Sequence, residues 1–119
     1  RILSEQGVKT NVTLCFSAAQ AVMTAKAGAT YISPFVGRMN DNSLSGVELV
    51  RAISGLYCAQ GVKTKILAAS LRDVHHVSRC LMYGAGVVTL PTKVFDKMYN
   101  HVLTDAGLAI FEEDFKNIT

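Results

Sequence analysis

Asn11 and Thr13 stand two residues apart in the apolar run Thr10–Phe16. In an extended chain such residues share a face, while Val12 and Leu14 point to the other. The run Thr30–Phe35 repeats the division, with Ser33 and Phe35 opposite Ile32. The run Lys65–Ser70 leads to Ser70 and Arg72 on one face, with Leu67 and Ala69 on the other. Polar groups sent toward a sheet interior cost about 1–3 kcal/mol each when unpaired, so they either satisfy one another or serve a ligand. Asn11 and Thr13 could bond each other and the neighbouring backbone. Arg38 and Arg72 ask for more, because each follows a strand end directly. A guanidinium there can grip phosphate oxygens through paired donors beside serine hydroxyls. The chemistry open to this set is recognition of a small phosphorylated molecule.

Other candidates carry less. His75 and His76 are neighbours in a helical stretch, where adjacent side chains diverge, so they make a poor metal site. His101 reads as a surface or capping residue, and Met23, Met39, Met82 and Met98 as core or loop methionines. Cys15, Cys58 and Cys80 form no CxxC pair, and their odd number and wide spacing read as reduced packing residues of a cytoplasmic protein. Twelve basic and nine acidic residues give a net charge of +3 with no long run of one sign, which excludes a nucleic-acid stripe but suits a small anion. No apolar run approaches the roughly 20 residues that span a bilayer, and no leader pattern opens the chain, so neither membrane nor secretion is expected.

Elements of a particular kind must position these residues. Four short apolar or β-branched runs, the three above and Val87–Leu90, alternate with helical periodicity, which predicts an α/β fold of repeated βα units. Ser17 with Gln20 and Ser45 with Glu48 fit the capping box at two helix starts, and Gly28, Gly61 and Gly84 close three helices. The alanine-rich Ser17–Gly28 helix can pack tightly on a sheet, and Val47, Val50, Ile53, Leu56 and Tyr57 form one stripe on the Gly46–Gln60 helix. Val74, Val77, Cys80 and Leu81 repeat that pattern, and Leu108, Phe111 and Phe115 mark a terminal helix, Thr104–Lys116. No linker divides the chain, so residues 1–119 are expected to form one domain. Parallel strands with right-handed crossovers curl into a half barrel or an open sheet, and the functional edge is the C-terminal end of the strands.

The segments TNVTLCFSAAQA, AGATYISPFVGRMND and KTKILAASLR, followed by GAGVVTLPTKVF and LTDAGLAIFEEDF, closely resemble consecutive segments of the transaldolase family, in particular its small transaldolase and fructose-6-phosphate aldolase branch. The resemblance covers almost the whole chain and implies the C-terminal half of a (β/α)8 TIM barrel, about four βα units plus a terminal helix. Members of the family form a Schiff base between a lysine and a ketose carbonyl, cleave the neighbouring carbon–carbon bond, and need no metal or organic cofactor. By this resemblance Asn11 and Thr13 support catalysis beside the lysine, with Thr13 helping to position the proton-relaying water. Ser33 and Phe35 line the sugar site, and Arg38, Ser70 and Arg72 bind phosphate. The family lysine belongs to the strand just before the helix represented by Arg1–Gln6, as do the acidic residues of the first strands to earlier positions, so this sequence begins after them. Lys9, Lys63 and Lys65 fall at the opposite mouth and are no replacement, and an amine aimed at the carbonyl has no substitute in this chemistry.

The expected ligand is therefore a phosphorylated sugar or phosphate ion, with Schiff-base activity absent from the 119 residues by themselves. The competing reading is a non-catalytic phosphosugar-binding or assembly module. A flavodoxin-like module is weakened because no glycine-rich phosphate loop follows the first strand. Four strands of a half barrel leave two open edges and an uncovered inner face, including Val88 or Thr89, so a homo-oligomer is expected, as a two-fold dimer or through docking of the terminal helix on a neighbour.

Overall fold

A computed structural model describes residues 1–118; Thr119, the last residue of the expected domain, lies outside the described residues. The order of elements is α1 (Ile2–Glu5), β1 (Asn11–Cys15), α2 (Ala18–Lys26), β2 (Tyr31–Pro34), α3 (Val36–Asp41), α4 (Gly46–Ala59), β3 (Lys65–Ala68), α5 (Val74–Met82), β4 (Val87–Val88), α6 (Thr92–Lys97) and α7 (Val102–Ile118). The four strands form one parallel sheet in sequential order, β1-β2-β3-β4. This is an α/β fold that winds in one direction only. A doubly wound sheet reverses its strand order at a switch point, and none occurs among the described strands.

The core lies between one face of this sheet and the helices. Ile32, Ile66 and Ala68 supply the sheet side, and Val47, Val50, Ile53 and Tyr57 of α4 supply the helix side, with Leu56 partly buried against them. The expected α4 stripe is therefore the one that packs. Tyr57 also donates its hydroxyl to the carbonyl of Ala21 at 2.7 Å, tying α4 to α2. On α5, Val77 and Cys80 are buried and Val74 is partly so, but Leu81 lies on the exposed side and does not join the stripe. Met39 is a core methionine, whereas Met23 and Met82 stand on exposed helix faces. Cys15 and Cys80 are buried packing residues, while Cys58 is exposed on the outer side of α4.

The helix signals hold locally. The Ser17 hydroxyl accepts from the Gln20 amide at 3.2 Å, and the Gln20 side chain accepts from the Phe16 amide, one residue earlier than a strict capping box. At α4 only half of the box forms: the Ser45 hydroxyl accepts from the Glu48 amide at 3.3 Å, while the Glu48 carboxylate lies 3.6 Å from Arg51 and does not return the bond. Gly28, Gly61 and Gly84 take positive φ just beyond α2, α4 and α5. The strands are shorter than the runs that announced them, β4 especially. Two short helices, α3 and α6, fall where none was expected, and α7 starts two residues before Thr104.

The register corrects one reading. Tyr31 pairs with Lys65 and Ile32 with Ile66, so Ser33 lies level with Leu67, and Phe35 bridges Ala69. The face away from the helices thus carries Asn11, Thr13, Ser33 and Phe35, then Leu67 and Ala69, then Val87 and Thr89. Ser70 and Arg72 do not reach the site by continuing strand alternation. Ser70 has φ 58°, a left-handed turn that ends the alternation. Leu71, fully buried, anchors the loop that follows.

Candidate functional site

β1 and β2 bring the first pair together. The Ser33 hydroxyl donates to Asn11 Oδ1 at 2.9 Å, and Ser33 is buried. Asn11 is thus satisfied across the strands and not by Thr13. The Thr13 hydroxyl makes no hydrogen bond among the described residues and stays exposed on the same face. Leu14, at φ 56°, marks an irregularity of β1 between Val12 and Cys15 at the strand's C-terminal end.

α3 organises the second group. It has no side-chain cap of its own. The Val36 amide donates to the Ala69 carbonyl at 2.9 Å, and the Gly37 amide to the Ser70 carbonyl at 2.8 Å. Orphan donors of the first helical turn are satisfied by the two residues that follow β3, which fixes α3 across the strand ends. Phe35, the residue before α3, meets Phe16 edge to face at 6.1 Å and carries the Arg38 guanidinium 5.2 Å above its ring. Arg72 pairs with Asp41, the last residue of α3. That hydrogen bond holds the Asp41 carboxyl below its ordinary value against an opposing effect of burial, and the charges of Arg72 and Arg38 act in the same direction.

Gly37 permits this arrangement. A Cβ built on it would stand 2.4 Å from the Ser70 carbonyl oxygen, 2.8 Å from Arg72 Nε and 2.9 Å from Ser70 Oγ. Ser70 and Arg72 therefore close so tightly on the buried Gly37 that any side chain there would displace them, and the Ser70 hydroxyl and the Arg72 Nε come together against one glycine. Neither Ser70 Oγ nor Arg72 Nε has a hydrogen-bond partner among the described residues. Arg38, Ser70 and Arg72 are brought to one rim at the C-terminal strand ends, with Ser33 and Phe35 leading to it along β2. Gly37 and Asp41 escaped the reading of the sequence. The spacing of Asp41, three residues after Arg38 on one helix face, was the available signal.

The opposite mouth is different in kind. A cavity of about 720 Å3 lies there between α2 and α4, with Val22, Leu56 and Val62 on its walls and Lys26, Lys63 and Lys65 at its rim. It is remote from the converging serine and arginine groups. Of the histidines, His76 Nδ1 lies 2.8 Å from Asp73, and His101 caps α7 by accepting from the Leu103 amide at 3.1 Å.

The Transaldolase/Fructose-6-phosphate aldolase family matches residues 1–119. This chain belongs to that family. A probable transaldolase of Brachyspira hyodysenteriae is 46% identical over 118 residues, which is 99% of this chain and 54% of the relative. A probable transaldolase of Leptospira biflexa is 51% identical over 118 residues, 99% of this chain and 55% of the relative. One of Paracoccus denitrificans is 52% identical over 115 residues, covering 97% and 53%. The family member described here thus spans about half the length of the curated relatives it matches. In fold it is similar to a crystal structure of mandelate oxidase Y128F, with a TM-score of 0.53 and 17% identity over 70% of this chain and 25% of that one. No described helix is long and apolar enough to cross a membrane.

Proposed function

We propose that this chain is the C-terminal, phosphate-binding half of a (β/α)8 barrel that handles phosphorylated ketoses by Schiff-base aldol chemistry. The observation that carries the reading is the convergence of Ser70 Oγ and Arg72 Nε above Gly37, beside Arg38, at the C-terminal ends of a singly wound parallel sheet. Phosphate there accepts charge-assisted bonds from the two guanidinium groups and one from the serine hydroxyl. The sugar chain then runs along β2 past Phe35 and Ser33 toward Asn11 and Thr13. Asn11, oriented by Ser33, contacts the reacting end, and the Thr13 hydroxyl, with no protein partner, holds the water that relays protons. The amine comes from a strand that pairs with the open edge of β1. It condenses with the ketose carbonyl and releases water. The β-hydroxyl then gives its proton to the water at Thr13, the bond between the carbons α and β to the iminium breaks, an aldehyde leaves, and the electron pair passes to the iminium to give an enamine. The enamine takes up a proton or adds to an acceptor aldehyde, and hydrolysis of the resulting iminium by water returns the free amine.

Two measurements test this. Replacing Arg38 and Arg72 together by alanine is expected to remove most inorganic phosphate binding, since such bonds contribute roughly 1.5–3 kcal/mol each. Unchanged affinity refutes the assignment. Borohydride added with fructose 6-phosphate or dihydroxyacetone is expected to leave the mass of the 119-residue chain unaltered, because Lys9, Lys63 and Lys65 precede or open their strands at the other mouth. A stoichiometric adduct on any of its lysines overturns that part.

The second reading, an assembly module, is favoured by α7. This helix of 17 residues buries none of them and exposes Val102, Leu103, Leu108, Ile110, Phe111, Phe115 and Ile118. We propose a homo-oligomer in either case, through closure of the uncovered sheet face and its edges in a two-fold dimer or through docking of α7 on a neighbouring copy. Sedimentation equilibrium at micromolar concentration distinguishes the two by stoichiometry, and a folded monomer defeats both.

A further inference from the structure

Arg72 lies on a loop, beyond the left-handed Ser70 and the buried Leu71, and its side chain is half exposed. Such a side chain samples many rotamers unless something holds it. Asp41 is its hydrogen-bonded partner, and the bond is to Nη1. The opposite part of the guanidinium, Nε, is the one that stands beside Ser70 Oγ above Gly37. The carboxylate therefore grips Arg72 at one nitrogen and leaves Nε without a hydrogen-bond partner beside Ser70 Oγ.

Asp41 is itself held. It is the last residue of α3, whose first turn is bonded to Ala69 and Ser70 just after β3. The segment beyond is fixed by Asn40, whose side-chain oxygen accepts from the Gly46 amide at 3.0 Å, and by Asn42, whose side chain donates to the Arg38 carbonyl at 2.9 Å. One short helix thus presents Arg38 directly and Arg72 through Asp41.

We infer that Asp41 is a positioning residue of the anion site, aligning Arg72 Nε with Ser70 Oγ before phosphate arrives. The inference rests on the phosphate reading above and goes beyond it, because a carboxylate beside an anion site would on charge alone oppose binding. Its geometry decides the sign. A carboxylate at Nη1 leaves Nε free for the ligand, and the side-chain ordering it supplies no longer opposes binding.

The test is inorganic phosphate binding to the 119-residue chain, followed by NMR, in a double-mutant cycle with Asp41→Ala and Arg72→Ala. Asp41→Ala is expected to weaken binding about three- to tenfold, corresponding to one side chain newly ordered on binding. The same change made in the Arg72→Ala background is expected to do almost nothing. The Arg72 Nε–H resonance of the unliganded chain, distinct in the parent, should move to the position of a free arginine in Asp41→Ala. Asp41→Asn, which keeps an oxygen acceptor with less disturbance of α3, should fall between. Equal weakening in the two backgrounds would mean that Asp41 merely supports α3, and it overturns the inference. Tighter binding by Asp41→Asn overturns it too, by making the carboxylate a competitor. If Arg72→Ala alone leaves phosphate affinity unchanged, the phosphate reading fails first and this inference with it.

Discussion

α4 and α7 are the two longest helices, 14 and 17 residues, and both carry apolar residues at helical spacing. α4 buries Val47, Leu49, Val50, Ile53 and Tyr57, whereas α7 buries nothing. The molecule extends 69 Å along its longest axis against 33 and 27 Å for the others. A helix of 17 residues is about 25 Å long, which accounts for much of that difference when it stands away from the body. An apolar stripe therefore announces that a helix needs a partner without saying that the partner is in the same chain. The strands show the same contrast. On their helix side Ile32, Ile66 and Ala68 are buried, whereas on the other side Asn11, Thr13, Val87 and Thr89 are exposed, with Ser33 and Ala69 buried between them.

Truncating one side chain on each helix should separate the two most strongly. Ile53→Ala is expected to cost about 2–5 kcal/mol, because a fully buried side chain is lost and the sheet cannot collapse into the space. Phe111→Ala should leave the urea midpoint of dilute, unassociated chain unchanged and should lower association measured by sedimentation. Equal losses of midpoint in the dilute chain would show that α7 belongs to the same core.

A smaller effect separates the packed side from the exposed one by pH. Burial, with a lesser contribution from the Asp73 charge, pushes the Cys80 thiol up to about 11, and burial pushes the Tyr57 hydroxyl up to about 12. Both groups stay protonated in the fold after the unfolded chain has begun to lose its protons. Their contribution is complete below the unfolded values near 9.0 and 10.0 and is lost as pH rises toward the folded ones. Stability is expected to fall by roughly 2 kcal/mol between pH 9 and 11 from Cys80, with Tyr57 adding to the loss above pH 10. A denaturant series at those values checks this, and Cys80→Ala should flatten the lower part of the curve. Cys58, exposed on the same helix as Tyr57, should react with a thiol reagent in the folded chain while Cys80 waits for unfolding.

What could be read beforehand follows the range of the interactions. Ser17, Ser45 and the three closing glycines act within a few residues, so their helix ends were legible. α3 was not, since its first amides are bonded to Ala69 and Ser70, more than thirty positions away along the chain. The same holds for the site. Asn11, Ser33, Arg38, Ser70 and Arg72 were singled out from strand ends and family resemblance. The assignment of Ser70 and Arg72 to a strand face failed because Ser70 leaves the extended region. Gly37 has no side chain to draw notice, and its part depends on how closely β3 approaches.

The smallest expected effect concerns the helix starts. α4 begins at Ser45, whose hydroxyl accepts from the Glu48 amide, and α7 begins beside His101, whose Nδ1 accepts from the Leu103 amide. Each bond satisfies one orphan donor, so as local chemistry the two caps are alike. Their consequences should differ. Ser45→Ala is expected to cost about 1 kcal/mol of global stability, because α4 cannot fray without exposing the core beneath Val47 and Val50. His101→Ala is expected to lower helix content by far-ultraviolet circular dichroism in the dilute chain and to leave the unfolding midpoint where it was, since a helix that buries nothing opens locally. In the associated protein the same variant should weaken assembly, because the first turn of α7 carries Val102 and Leu103. Equal shifts of midpoint for the two variants in the dilute chain would mean that α7 is coupled to the body after all, and the contrast between the helices would fall with it.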